Sequence, residues 1–331
     1  LIAIGIAHHK KCRDKNFINR LIRKLSIPPA LRKLEKIQPL NGGFLEAAPL
    51  TAFTVTSLAL SGYNNSVIVS KGVQFLLSSI RSDGSVPIDS NLSVWLTSLS
   101  ANAIFKTSAP NTAQEKEIAK KITNFLLKQQ FRKKAVFTDS AFGGWGWTDL
   151  PGAVPDADDT ACATTALKKL TPNSSEAKNA VKNGIQWLLG IQNNDGGFPT
   201  FCKGWTQLPF DKSCPDITAH SISAFSSWID QMDANLSLKM KKSIDKALKY
   251  LEQSQEANGS WSPLWFGNEN APEKKNPVFG TALVLKYISQ TPFSNSANLA
   301  KCLANGYEYL RISQNADGGW GGIKGLPSTI E

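Results

Sequence analysis

Histidine is scarce in this chain of 331 residues: there are three, and two of them, His8 and His9, sit together near the start. Cysteine numbers five, at Cys12, Cys162, Cys202, Cys214 and Cys302. The count is odd and no pair has the spacing of a zinc knuckle, so free thiols in a reducing compartment are the simplest reading. Charged residues make up only 19%. No apolar run approaches the ~20 residues that a helix needs to cross a bilayer. The opening "LIAIGIA" is too short for a span and lacks the basic lead-in of a signal peptide. Low-complexity tracts are missing while apolar residues reach 41%, which excludes a disordered chain and leaves enough for a sizeable core.

Aromatic residues are abundant instead: nine Trp and sixteen Phe stand against two Met. Rings in such numbers build a core or line a pocket, and composition by itself favours the core. The formal net charge is +11, which suits an anionic partner such as a lipid surface or nucleic acid. No nucleic-acid fingerprint accompanies it, so nucleic acid is not expected as a partner. The basic surplus concentrates in residues 10–36, where apolar residues alternate with Lys and Arg at helical spacing. That pattern fits an interfacial helix as well as a solvated basic one. Residues 1–39 are therefore set apart as a basic amphipathic helical segment, and residues 40–331 as the main domain. The chain starts on Leu and stops just after a turn, "GGWGGIKGLPSTIE", so a piece of a longer chain, cut within its last repeats, is expected.

A repeat runs through the domain. The stretches "IQPLNGGFLEAAP", "IRSDGSVPID", "GGWGWTD", "IQNNDGGFPTF", "SQEANGSWSPLW" and "SQNADGGWGG" recur, from the second onward, roughly every 50 to 65 residues, the period of a two-helix unit. Lys-bearing segments such as "AKKITNFLLKQQ" and "SIDKALKYLEQSQ" precede these turns and place apolar residues at i, i+3, i+4 and i+7. Segments rich in Ala, Ser, Thr and Leu, such as "DTACATTALKKL" and "DITAHSISAFSSW", follow them. The first set predicts outer helices and the second buried inner ones. The fold class expected is all-α, an α/α toroid of outer/inner helix pairs. In such a fold the inner-helix N-termini surround a central cavity.

Asp156, Asp158 and Asp159 open one of these inner helices, in "PDADDTA". One acidic residue there is an ordinary N-cap favoured by the helix dipole. Three exceed what capping requires. The next inner helix opens with "PDITAH", which puts Asp216 and His220 at i and i+4 on one face.

Pro155 to Ala161 resembles the DxDDTA motif of the squalene-hopene cyclase family, class II terpene cyclases, and the Gln…Gly-Trp/Phe turns resemble that family's QW repeats. The resemblance runs from about Gln38 to the C-terminus and corresponds to the latter part of a longer family member. It implies protonation of a terminal alkene of squalene, or of a related polyprenyl chain, followed by cationic cyclisation to hopene- or hopanol-type products. An alkene is a poor base, so the acid must be strong yet still protonated; crowded carboxylates retain a proton, and a neighbouring imidazolium stabilises the conjugate base. By the resemblance Asp158 is the proton donor, Asp156 and Asp159 position it and hold the shared charge, and His220 is its partner, with Asp216 beside the substrate. Trp147, Phe201, Trp265, Phe279 and Trp95 match cavity-lining aromatics, which would stabilise carbocations through their π faces. Trp145, Trp261 and Trp320 belong to the repeat turns and are expected to stack on Gln side chains. Two positions depart from the family: Phe201 and Phe279 stand where it has Tyr, which makes the cavity more apolar. At Trp95 the family has Asp next and this chain has Leu96. No cofactor and no metal are implied. A peripheral place on the cytoplasmic side of the membrane is, and a homodimer stands among the expected partners with no residue that decides it.

Other readings stay open. A helical-repeat binding protein with a decayed acid cluster is one, and a class II cyclase of shorter diterpenoid chains is another. Protein prenyltransferase β subunits share the toroid but need zinc, and the spacing of Asp211, Cys214 and His220 is wrong for it. The Gly-Cys-Gly-Glu-Gln stretch of thioester domains is absent.

Overall fold

The computed structural model describes residues 1–12, 15–204, 209–295 and 297–328. They fall into two compact units, one made of Leu1–Ser93 and Trp147–Val154, the other of Val94–Gly146 and Pro155–Glu331.

The first unit holds α1 (Ile2–Lys11), α2 (Phe17–Ile37), α3 (Ala48–Leu58) and α4 (Val67–Ser78). The basic stretch 10–36 spans the end of α1 and nearly all of α2. Helix α1 packs on α3 and buries Ala3 and Ile6. Helix α2 is capped by the Asn16 side chain, contains Pro28 and Pro29, and buries only Leu34. Its Phe17, Ile18, Leu21, Ile22 and Leu25 are all exposed. They recur at i, i+4 and i+8 and so share one stripe of the helix. No helix among the described residues is long and apolar enough to cross a membrane. The Trp147–Val154 segment is stitched into this unit. The fully buried Glu46 accepts from the Asn41 side-chain amide at 3.0 and 2.9 Å and from the Gly152 N–H at 2.8 Å. Ser93 Oγ donates to Asp149 at 2.6 Å.

The second unit is a two-layer helical array. It contains α5 (Ser93–Ile104), α6 (Ala113–Gln129), α7 (Ala157–Leu170), α8 (Ser175–Ile191), α9 (Pro215–Trp228), α10 (Ala234–Ser254), α11 (Pro277–Ile288) and α12 (Ala297–Ser313). Helices α7, α9 and α11 pack side by side as the inner row; α6, α8, α10 and α12 back them as the outer row. The fold is all-α, with the outer/inner helix pairs of an α/α toroid, as the periodicity predicts. Composition explains the layers. Small and hydroxylated residues let inner helices approach closely, and α9 buries every residue from Pro215 to Phe225. The Lys-bearing outer helices bury one stripe: in α10 it is Leu236, Met240, Ser243, Ile244, Ala247 and Leu251. A two-residue antiparallel ribbon, β1 (Phe198–Pro199) with β2 (Ser213–Cys214), precedes α9, with Phe198 opposite Cys214.

The repeat turns share one hydrogen-bonded construction. The Gln at each outer-helix end works through hydrogen bonds. Gln130 Nε2 donates to Gly143 O and to Ala180 O on the next outer helix, both at 2.7 Å. Gln192 reaches Gly196 O and Ser243 O, and Gln255 reaches Gly259 O and Cys302 O, in the same way. The Trp indoles donate back to the preceding helix: Trp145 to Leu126 O, Trp261 to Leu251 O and Trp320 to Leu310 O. The Trp145 ring lies against Gly184 of α8, where a Cβ would come within 2.7 Å of it. Gly143 turns the chain at φ +115° so close to α8 that a Cβ would stand 2.5 Å from Asn183 O. Only glycine satisfies both demands.

Removing the buried Gln130 takes the side-chain donor from Gly143 O and a second donor from Ala180 O, which keeps its own helical N–H partner within α8. Gln130→Ala should therefore cost about 1 to 3 kcal/mol of unfolding free energy in a urea titration. Gln314→Ala, where the side chain is exposed and reaches only Gly318 O, should cost less than about 1 kcal/mol.

Candidate active site

Helix α7 begins with a carboxylate for an ordinary reason. Asp156 sits in extended conformation at the N-cap and its Oδ1 accepts from Asp159 N at 2.8 Å. The position is locked from outside the helix. Asp156 N donates to Trp145 O at 3.0 Å, and Trp145 N donates to Thr160 Oγ1 at 2.9 Å. The same clamp recurs in three other repeats, where the N–H of the turn aromatic meets a threonine of the inner helix: Phe44 with Thr51, Phe198 with Thr218 and Trp261 with Thr281, each at 2.9 Å. The Thr-Ala pair that follows the acids is thus part of the scaffold. Its recurrence in the sequence was the available signal.

The three carboxyl groups are in different surroundings. Asp156 and Asp159 are buried, while the Asp158 side chain keeps 25% of its surface. Asp158 points to its neighbours on other helices. His220 Nδ1 lies 2.7 Å from Asp158 Oδ1, and the Trp95 indole N–H donates to Oδ2 at 3.2 Å. Burial works against charge on Asp158, but the His220 hydrogen bond and charge, the Trp95 N–H and the Lys286 ammonium outweigh it and hold the group below its ordinary value. Burial pushes Asp156 up to about 7, aided by the charge of Asp158 and opposed by hydrogen bonds from Asp159. Asp159 is raised well above the usual range by burial and by Asp156. The bond between Asp156 and Asp159 runs from backbone N–H to carboxylate, and burial leaves both groups holding a proton more tightly than an ordinary carboxyl. The cluster thus divides into a proton-holding pair and one partly exposed, more acidic member.

Asp216 is buried one turn before His220. Burial, with the charge of Asp158, pushes it up to about 6 against a hydrogen bond from Cys214. That thiol donates to Asp216 Oδ1 at 2.7 Å and accepts from Leu264 N at 3.2 Å.

The rings fall into two groups. Phe201 lies flat against Trp265 (5.8 Å, 9°), and Phe210 packs on both. The backbone ties this group to the acids, since Ala157 N donates to Phe201 O at 2.8 Å. Trp265 keeps 49% of its surface exposed. Phe279, at the start of α11, packs on Phe266. Trp95, matched as a cavity ring, donates its indole N–H to Asp158. Trp147 is buried in the Trp147–Val154 segment and is described with the first unit. Sequence reasoning missed Phe210, Phe266 and, above all, Tyr287, whose ring stacks on His220. Tyr287 lies on α11 and His220 on α9, and no spacing within either helix signalled the contact. A cavity of about 340 Å³ bounded by Lys116, Thr123, Leu170 and Ser174 lies at the far end of α7 and includes none of the acids.

The profile of the family described as Squalene-hopene cyclase C-terminal domain matches residues 92–325, well over half of the chain. The chain belongs to that family. Sporulenol synthase of Bacillus subtilis (strain 168) is 31% identical over 247 residues, which cover 70% of this chain and 38% of the relative. Enfumafungin synthase of Hormonema carpetanum is 28% identical over 69% of this chain and 18% of its own length. Squalene–hopene cyclase of Bradyrhizobium diazoefficiens (strain JCM 10833 / BCRC 13528 / IAM 13628 / NBRC 14792 / USDA 110) is 25% identical over 69% of this chain and 34% of its own length. The chain thus spans less than two fifths of each of these class II terpene cyclase relatives.

The raised Asp156 makes the folded state bind more protons than the unfolded one between pH ~4 and ~7, so its contribution to stability falls as pH rises through that window. Asp158, lowered, contributes in the opposite sense and only below pH ~4. Asp156→Asn keeps the N-cap and removes the titration. It should flatten the decline in unfolding free energy between pH 4.5 and 7.5, measured by urea unfolding, and raise stability at pH 7.5.

Proposed function

We propose that the protein is a class II terpene cyclase that protonates a terminal alkene of squalene or a closely related polyprenyl chain, with Asp158 as the acid. One observation carries the reading: of three crowded carboxyl groups, the one left accessible is also the one whose conjugate base has two N–H partners, His220 and Trp95. The reacting form is the one in which Asp158 carries a proton, a minor form given its lowered value; the alkene π pair takes that proton and forms a C–H bond. A tertiary carbocation remains on the substrate, and the Asp158 carboxylate is stabilised by the His220 imidazolium and the Trp95 indole. The Asp156–Asp159 pair stays neutral on one side, so the site carries less negative charge than three free carboxylates would. Cations formed as rings close would find π faces in the Phe201–Trp265–Phe210 group, each worth up to ~2 kcal/mol when desolvated. With Phe at 201 and 279, no phenol at those positions offers a lone pair to capture the cation, which favours an apolar cascade. Hopene- or hopanol-type products are the reading taken over from the family.

A polyprenyl substrate dissolves in bilayers, so the same reading puts the protein at a lipid surface. The exposed apolar stripe of α2, flanked by Arg20, Arg23 and Lys24, is the proposed contact.

Asp158→Asn in the full-length protein should cut cyclic product from squalene by about 10²-fold or more, measured by gas chromatography and mass spectrometry. An unchanged product yield would remove Asp158 from the mechanism, and a protein that only binds would give no cyclic product with either side chain. Leu21→Glu combined with Leu25→Glu should abolish flotation with anionic liposomes; undiminished flotation would rule α2 out.

A further inference from the structure

Nothing in the acid cluster explains why His220 offers Nδ1 to Asp158. An imidazole can rotate about its Cβ–Cγ bond with little intrinsic preference. Asp158 restrains only the edge of the ring. What restrains its plane lies on α11. The Tyr287 ring is stacked on His220 with centroids 4.0 Å apart and planes 5° from parallel. That separation is van der Waals contact over the whole face. Tilting the imidazole by a few tens of degrees would drive its edge into the phenol ring. A half-turn would restore the plane but exchange Nδ1 for a carbon, and the bond to Asp158 opposes it. Plane and flip are thus set by two different residues.

We infer that Tyr287 is a positioning residue for His220: its ring fixes the plane in which the imidazole meets Asp158, and its π face stabilises the imidazolium while leaving the Nδ1 edge to Asp158. A cation against an aromatic face is favoured most where water is excluded, and His220 is 2% exposed. The Lys286 ammonium, 5.1 Å from the Tyr287 ring centroid, favours the Asp158 carboxylate rather than the imidazolium. The catalytic consequence rests on the acid role proposed for Asp158; the positioning does not.

NMR of protein labelled with ¹⁵N-histidine separates the two. A His Nδ1–H bonded to a carboxylate gives a proton resonance far downfield, and His220→Gln identifies it by its loss. The resonance should persist in Tyr287→Phe, which keeps the ring, and disappear in Tyr287→Leu, which keeps bulk without a flat face. The unsubstituted protein should show cross-relaxation between the His220 and Tyr287 ring protons. An unchanged resonance in Tyr287→Leu would overturn the inference. So would missing cross-relaxation, an arm that requires no variant to fold. In the full-length protein Tyr287→Leu should lower kcat about tenfold at unchanged KM. If the unsubstituted protein makes no cyclic product, the proposed function fails, while the two spectroscopic arms still decide the role of Tyr287.

Discussion

Carboxyl groups packed at the start of one helix cannot all be charged once water is withdrawn from most of them. The rest of the site follows from this. Asp156 and Asp159 are buried and hold a proton more tightly than an ordinary carboxyl. Asp158, with a quarter of its side chain exposed, takes its stabilisation from other helices. A carboxylic acid alone would be either too weak to protonate a hydrocarbon or already ionised at neutral pH. Dividing the two demands among three residues separates holding a proton from giving one away.

The scaffold makes that division reproducible. Asp156 is placed by the chain around it, through the Trp145 carbonyl and the Thr160 clamp, as well as by its own N-cap bond to Asp159 N. His220 is placed in the same way one repeat later, since Phe198 binds Thr218 two residues before it. Two helices with identical anchors hold the two halves of the acid–imidazole pair, so their register is a property of the repeat.

Much of this was legible in the sequence because it is periodic. The outer stripe of α10, the charge-poor composition of α9 and the Gly-aromatic turns recur, and recurrence fixes helix boundaries and layers. The Asp cluster and the Asp216–His220 spacing were legible because they lie within single helices. What was not legible depends on how helices rotate against each other. Tyr287 meets His220, and Trp95 meets Asp158, across helix pairs far apart in the chain, and no local spacing encodes that azimuth. The hydrogen bonds of the Gln side chains were not legible for a related reason, because each amide reaches two carbonyls on different segments. The placement of Trp147 with the first unit was also invisible, because its segment is captured by Glu46 and Ser93, distant in sequence.

The threonine clamp carries one more consequence. It anchors the acids through main chain and a hydroxyl, whereas Phe201, Trp265 and Phe279 touch other rings and contribute no side-chain bond to the anchor. Under the proposed function, the rings that would face a substrate can therefore be rewritten by mutation while the acid cluster stays anchored, so a product can diverge without a change in how the reaction starts.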